Sequence, residues 1–89
     1  MVKYTLYFTR QAQKDAKKLS EAGLRRQTEK LLRIIERNPF ASYPPYEKLL
    51  GDLSGAFSRR INIHHRLVYQ VLETERAVKI IRMWTHYGE

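Results

Sequence analysis

Ser54-Gly-Ala-Phe-Ser-Arg-Arg-Ile-Asn-Ile-His-His-Arg-Leu-Val-Tyr-Gln-Val71 reads as two strands and a turn. Phe57 to Ile61 is the first strand, Asn62 to His64 the turn, and His65 to Val71 the second strand. Side chains alternate across a strand, so His65, Leu67, Tyr69 and Val71 share one face, predicted to be the core face. Arg66, Val68 and Gln70 take the other, which leaves Arg66 exposed. Arg59, Arg60, His64, His65 and Arg66 fall within eight positions. A sheet ordinarily carries neutral polar residues there.

Working outward, Ala77 to Trp84 is a further strand rich in Val and Ile, reached through the polar turn Glu73–Arg76. Upstream, Asn38 to Gly51 reads as a loop. Pro39, Pro44 and Pro45 break regular structure, Phe40, Tyr43 and Tyr46 offer apolar anchors, and Glu47 is the only acid. A loop of that length in a small domain is more often functional than idle. Before it, Leu24, Thr28, Leu31, Leu32 and Ile35 form the stripe of a helix over residues 24–37, stopped by Asn38-Pro39. Ala12, Ala16 and Leu19 stripe an earlier helix that Thr9 can cap, with Ser20–Gly23 between the two. Val2 to Phe8 alternates as a strand. The order β-α-α-β-β-β predicts an α+β domain over residues 1–89, its antiparallel-rich twisted sheet covered on one face by an α-hairpin.

Eighty-nine residues can bury only a modest core. The absence of cysteine excludes a disulfide framework and a thiolate metal site, and suits the cytoplasm. No secretory signal is visible, and no apolar run approaches the ~20 residues that span a membrane. Seventeen bases against nine acids give +8. Residues 1–45 hold ten bases and four acids, a surplus of +6; residues 46–89 hold seven and five, +2. A surplus of this size attracts a polyanion, RNA or DNA being the usual one.

Cleaving an RNA phosphodiester without metal needs a base for the 2′-hydroxyl, a cation for the phosphorane and an acid for the leaving oxygen. Glu47, the arginines Arg59, Arg60 and Arg66, and His86 could supply them. Each also has an ordinary reading. Glu47 could pair with Lys48. Arg59 and Arg60 face opposite sides of their strand, so one of them points toward the helices or pairs with an acid. His64 is solvated, and His86 could belong to a frayed end. Trp84 and Tyr87 could stack a base, though a strand aromatic usually packs the core. The three histidines lack zinc-ligand spacing.

The stretches Asn38-Pro-Phe40, Glu47-Lys-Leu49, Leu53-Ser-Gly-Ala-Phe-Ser-Arg-Arg-Ile61, His65-Arg-Leu-Val-Tyr69 and His86-Tyr87 resemble, in order and spacing, the YoeB/Txe family of toxins. That family lies within the RelE-like superfamily of bacterial toxin–antitoxin systems. The resemblance implies an mRNA endoribonuclease that works without cofactors in the A site of the 30S/70S ribosome. It also implies a cognate antitoxin (YefM/Axe-like), and leaves a homodimer open. By motif, Glu47 looks like the general base, His86 the general acid, Arg66 the phosphate-stabilising cation and Tyr87 a holder of the scissile nucleotide. Arg60, and with it Arg59, would be supporting substrate-binding cations. The rival readings are a ParE-like toxin that binds a topoisomerase and a non-catalytic RNA-binding module.

Overall fold

A computed structural model describes residues 3–49, 51 and 55–86, with the backbone alone at Thr85 and His86. The elements are β1 (Thr5–Phe8), α1 (Arg10–Glu21), α2 (Arg25–Arg37), β2 (Tyr46–Lys48), β3 (Ala56–Arg60), β4 (His65–Leu72) and β5 (Ala77–His86). The expected α+β architecture is present with one strand more than predicted, since Tyr46–Lys48 joins the sheet rather than the loop. The strand order is β1-β5-β4-β3-β2. β1 runs parallel to β5, with Thr5 opposite Ala77, and the other pairs are antiparallel. Val2, predicted to open the first strand, lies outside the described residues.

Local chemistry sets the helix boundaries. Thr9 caps α1, its hydroxyl accepting from the Ala12 amide at 3.0 Å. At the other end the Gly23 amide bonds Ser20 O and the Leu24 amide bonds Leu19 O. This closing pattern needs a left-handed residue, and Gly23 supplies it at φ 78°. α2 stops at Asn38, before Pro39.

Ala12 and Leu19 of α1 and Leu31 and Ile35 of α2 pack with Ile61, Leu67, Tyr69, Val78, Ile80 and Met83 in one core. The apolar stripes thus meet the predicted core face of β4, and burial of these side chains is the main stabilising term. On the second face of the sheet Ala56, Ser58 and Val68 are also buried. Arg66, expected to be exposed, is half-buried on that face. Tyr43, expected to anchor its loop, is 83 % exposed. No helix among the described residues is long and apolar enough to cross a membrane.

Candidate active site

The register of three strands assembles the site. Glu47 on β2 stands opposite Ser58 on β3, which stands opposite Val68 on β4. One pleat along, Arg60 stands opposite Arg66, and Arg66 opposite Thr85 of β5. Period-2 alternation therefore puts Glu47, Ser58, Arg60 and Arg66 on the face away from the core. Glu47, Ser58 and Arg60 line a recess of about 470 Å³ with Pro44 and Pro45. Glu47 and Arg60 are exposed at its rim. Two cations directly opposite each other on paired strands repel. Two guanidinium groups on one face are chemically suited to a phosphate.

Arg59 is not brought to this cleft. It is 1 % exposed and points to the other face. Its Nε donates to Tyr69 Oη at 2.9 Å, and Nη2 donates to the carbonyls of Pro39 and Ala41 at 3.0 and 2.7 Å. Nη1 donates to the Pro44 carbonyl. The guanidinium also lies 4.9 Å from the Tyr46 ring centroid, in cation–π range. The Tyr69 hydroxyl in turn donates to Pro39 O at 2.8 Å. Burial pushes the Tyr69 phenol above its ordinary pKa, and the hydrogen bond and charge of Arg59 only partly oppose this. Of the two adjacent arginines, Arg59 is therefore the internal one. It is a clamp on residues 38–45, the segment that delivers Glu47, and the substrate-binding role expected for it does not fit its position. Phe40, Tyr46 and Phe57 pack edge-on beside it and hold the start of β2.

The far side of the cleft is β5, whose placement depends on α1. Val68 pairs with Arg82 and Arg66 with Thr85, so Met83 and Trp84 together face Leu67 alone, forming a bulge. The displaced amides of Met83 and Trp84 donate to Asp15 Oδ2 at 2.9 and 3.2 Å. Gln11 Nε2 donates to Asp15 Oδ1 at 2.9 Å, and Arg82 Nε approaches Oδ2 at 3.4 Å. Asp15 is 0 % exposed. Burial pushes its carboxyl upward, but the bonds from Met83, Gln11 and Trp84 and the Arg82 charge outweigh that, so its pKa lies below the ordinary value. A second irregularity skips Ile81, whose carbonyl accepts from the Thr9 hydroxyl at 2.8 Å.

Beyond the bulges the backbone of His86 pairs with that of His65. This puts it in the sheet, one strand from Arg66, and not in a frayed end. Tyr87 lies outside the described residues. His65 stacks on Trp84 at 4.2 Å between ring centroids, while His64 is exposed. Glu47, Arg60, Arg66 and the backbone of His86 thus span four adjacent strands, three spacings or about 14 Å across. Among the described residues no three His, Asp or Glu side chains group as metal ligands would. Two participants went unnoticed in the sequence. Asp15 had a visible signal, an acid within the Ala12–Leu19 stripe; Ser58 had none beyond its place between strand neighbours.

A family profile describing the YoeB-like toxin of bacterial type II toxin–antitoxin systems matches residues 6–87. Toxin YoeB of Streptomyces coelicolor is 38% identical over 68 residues, 76% of this chain and 79% of that protein. Toxin YoeB of Mycobacterium bovis is 40% identical over 62 residues, 70% of this chain and 71% of that one. Among solved structures, a YoeB/ParE toxin from Agrobacterium tumefaciens superimposes with a TM-score of 0.83 at 32% identity, covering 93% of this chain and 99% of that chain. The YoeB dimer from Staphylococcus aureus gives 0.80 at 34% identity, covering 97% and 100%. A YoeB–YefM complex from the same organism gives 0.78 at 34% identity, with the same coverage.

Proposed function

This chain belongs to the YoeB-like toxins of bacterial type II toxin–antitoxin systems, and on that premise we propose that it is a ribosome-dependent endoribonuclease that cuts mRNA in the A site. The observation that carries the reading is the register: Glu47 and the Arg60–Arg66 pair share one face on three neighbouring strands, with the His86 backbone on the fourth. The reaction is an in-line transesterification. Glu47 takes the proton of the 2′-hydroxyl as the 2′-oxygen bonds to phosphorus. Arg66, seconded by Arg60, stabilises the charge on the non-bridging oxygens. His86 gives a proton to the 5′-oxygen as the P–O5′ bond breaks. The products are a 2′,3′-cyclic phosphate and a 5′-hydroxyl. Tyr87 holds the scissile nucleotide.

The site of action is then the cytoplasm, and the physiological partner an antitoxin of the YefM kind. The YoeB–YefM complex from Staphylococcus aureus supports that partner, and the YoeB dimer from the same organism supports self-association. The +8 charge suits an RNA-rich target.

The test is induced expression in a bacterium with 5′-end mapping of a translated mRNA. Cuts appear in the wild type only when the message is translated, and vanish in Glu47→Ala and His86→Ala. Growth arrest with intact mRNA would overturn the nuclease reading and favour a target such as a topoisomerase.

A further inference from the structure

Ser58 lies in the proposed cleft, and its hydroxyl bonds no group among the described residues. The residue is 1 % exposed, and its Oγ has no hydrogen-bond partner among the described residues. A buried hydroxyl without a partner costs free energy that alanine would avoid. The cost falls at a telling place. Ser58 is the direct cross-strand neighbour of Glu47 and shares its recess with Arg60, Pro44 and Pro45. Directly paired residues on one face have Cβ atoms about 5 Å apart. A group that Glu47 deprotonates is therefore within reach of the Ser58 hydroxyl. Arg60 and Arg66, the cations for the phosphate, stand one pleat further along the same face. The rim side chains Glu47 and Arg60 are exposed, and such side chains change rotamer in picoseconds to nanoseconds.

We infer that Ser58 is a further catalytic residue, whose Oγ–H donates a hydrogen bond to a non-bridging oxygen of the scissile RNA phosphate. The inference rests on the nuclease reading above. The missing partner is supplied by the substrate, and the donor stands ready between base and arginines. The bond strengthens as charge builds on that oxygen in the phosphorane, so its effect falls on kcat more than on KM. The proton stays on Ser58, and no bond to it is made or broken.

The experiment compares wild type and Ser58→Ala in a reconstituted translation system, with Tm measured on both. A neutral donor acting on a developing oxyanion contributes about ten- to hundredfold. The expected result is that drop in kcat, KM within about threefold, and a Tm equal to or above wild type because an orphan donor is gone. A message carrying single phosphorothioate diastereomers at the cut site adds a readout that packing cannot mimic. Wild type discriminates against sulfur at one non-bridging position, and Ser58→Ala loses most of that discrimination. Equal kcat in the two proteins overturns the Ser58 role while leaving the nuclease reading in place. A fall in kcat accompanied by a lower Tm and unchanged sulfur discrimination also overturns it, since Ser58 is then structural. Wild type that leaves translated mRNA intact removes the nuclease reading itself.

Discussion

Replacing Arg59 by methionine keeps the apolar stem and deletes the guanidinium, which tests whether this residue is a clamp or an RNA contact. In the folded chain the guanidinium satisfies the Pro39, Ala41 and Pro44 carbonyls and the Tyr69 hydroxyl. Pro39 O keeps the Tyr69 hydroxyl as donor, so the heaviest loss falls on Ala41 and Pro44. Each carbonyl left without its donor costs about 1–3 kcal/mol. The cation–π contact with Tyr46 adds about 0.5–2 kcal/mol. The desolvation of a buried cation, which the substitution removes, offsets part of this. The net destabilisation is then about 3 kcal/mol, a large share of the ~5–15 kcal/mol that holds a small domain together. At about 4–8 °C per kcal/mol, Tm falls by at least ~12 °C. Urea denaturation followed by fluorescence measures it, because Trp84 is the single tryptophan and stacks on His65. Arg59→Lys should lose most of the same stability, since an ammonium cannot serve four acceptors from one plane. A change below about 1 kcal/mol in Arg59→Met, with weakened RNA binding, would refute the clamp and return Arg59 to the substrate side.

Asp15→Ala leaves the Met83 and Trp84 amides without their acceptor and should cost about 2–5 kcal/mol in denaturant titration. The Asp15 carboxyl titrates lower in the folded chain than in the unfolded one, so its stabilisation is present above the unfolded value of about 3.9 and is lost as pH falls through the folded value. Acid unfolding curves should therefore lose part of their slope below about pH 4 in Asp15→Asn, and an unchanged slope would contradict the assignment. Thr9→Val preserves shape but removes the α1 cap and the bond to Ile81, for a loss of about 1–2 kcal/mol by thermal melting. Arg66→Ala should lower cleavage by at least about a hundredfold and reduce the slope of log affinity for RNA against log salt by about one; an unchanged slope would take Arg66 off the phosphate.

Much of the fold was legible because its signals are local. Thr9, Gly23 and Pro39 mark helix ends through backbone chemistry that involves only their neighbours. The α1 and α2 stripes and the alternation of His65–Val71 follow from helix and strand periods. Alternation also showed that Arg59 and Arg60 point to opposite sides. It did not show which one is inside, since that depends on where residues 38–45 fold back, and the Pro39, Ala41 and Pro44 carbonyls that accept from Arg59 come together only once they do.

The remaining decisions were non-local. β2 has three residues, too few to show a period, and is a strand because the edge of β3 offers it a ladder. That pairing moves Glu47 from a loop to a fixed place beside Ser58. The bulges in β5 insert residues that no pattern in 77–86 announces, and they exist where Thr9 and Asp15 of another element accept or supply the displaced bonds. So the sequence by itself determined every element but β2, with the faces of its helices and of β4, and offered Glu47, Arg66 and His86 as candidates. Only the tertiary structure decided register, and register decides which side chains are neighbours, because a shift of one residue carries every side chain of a strand to the opposite face.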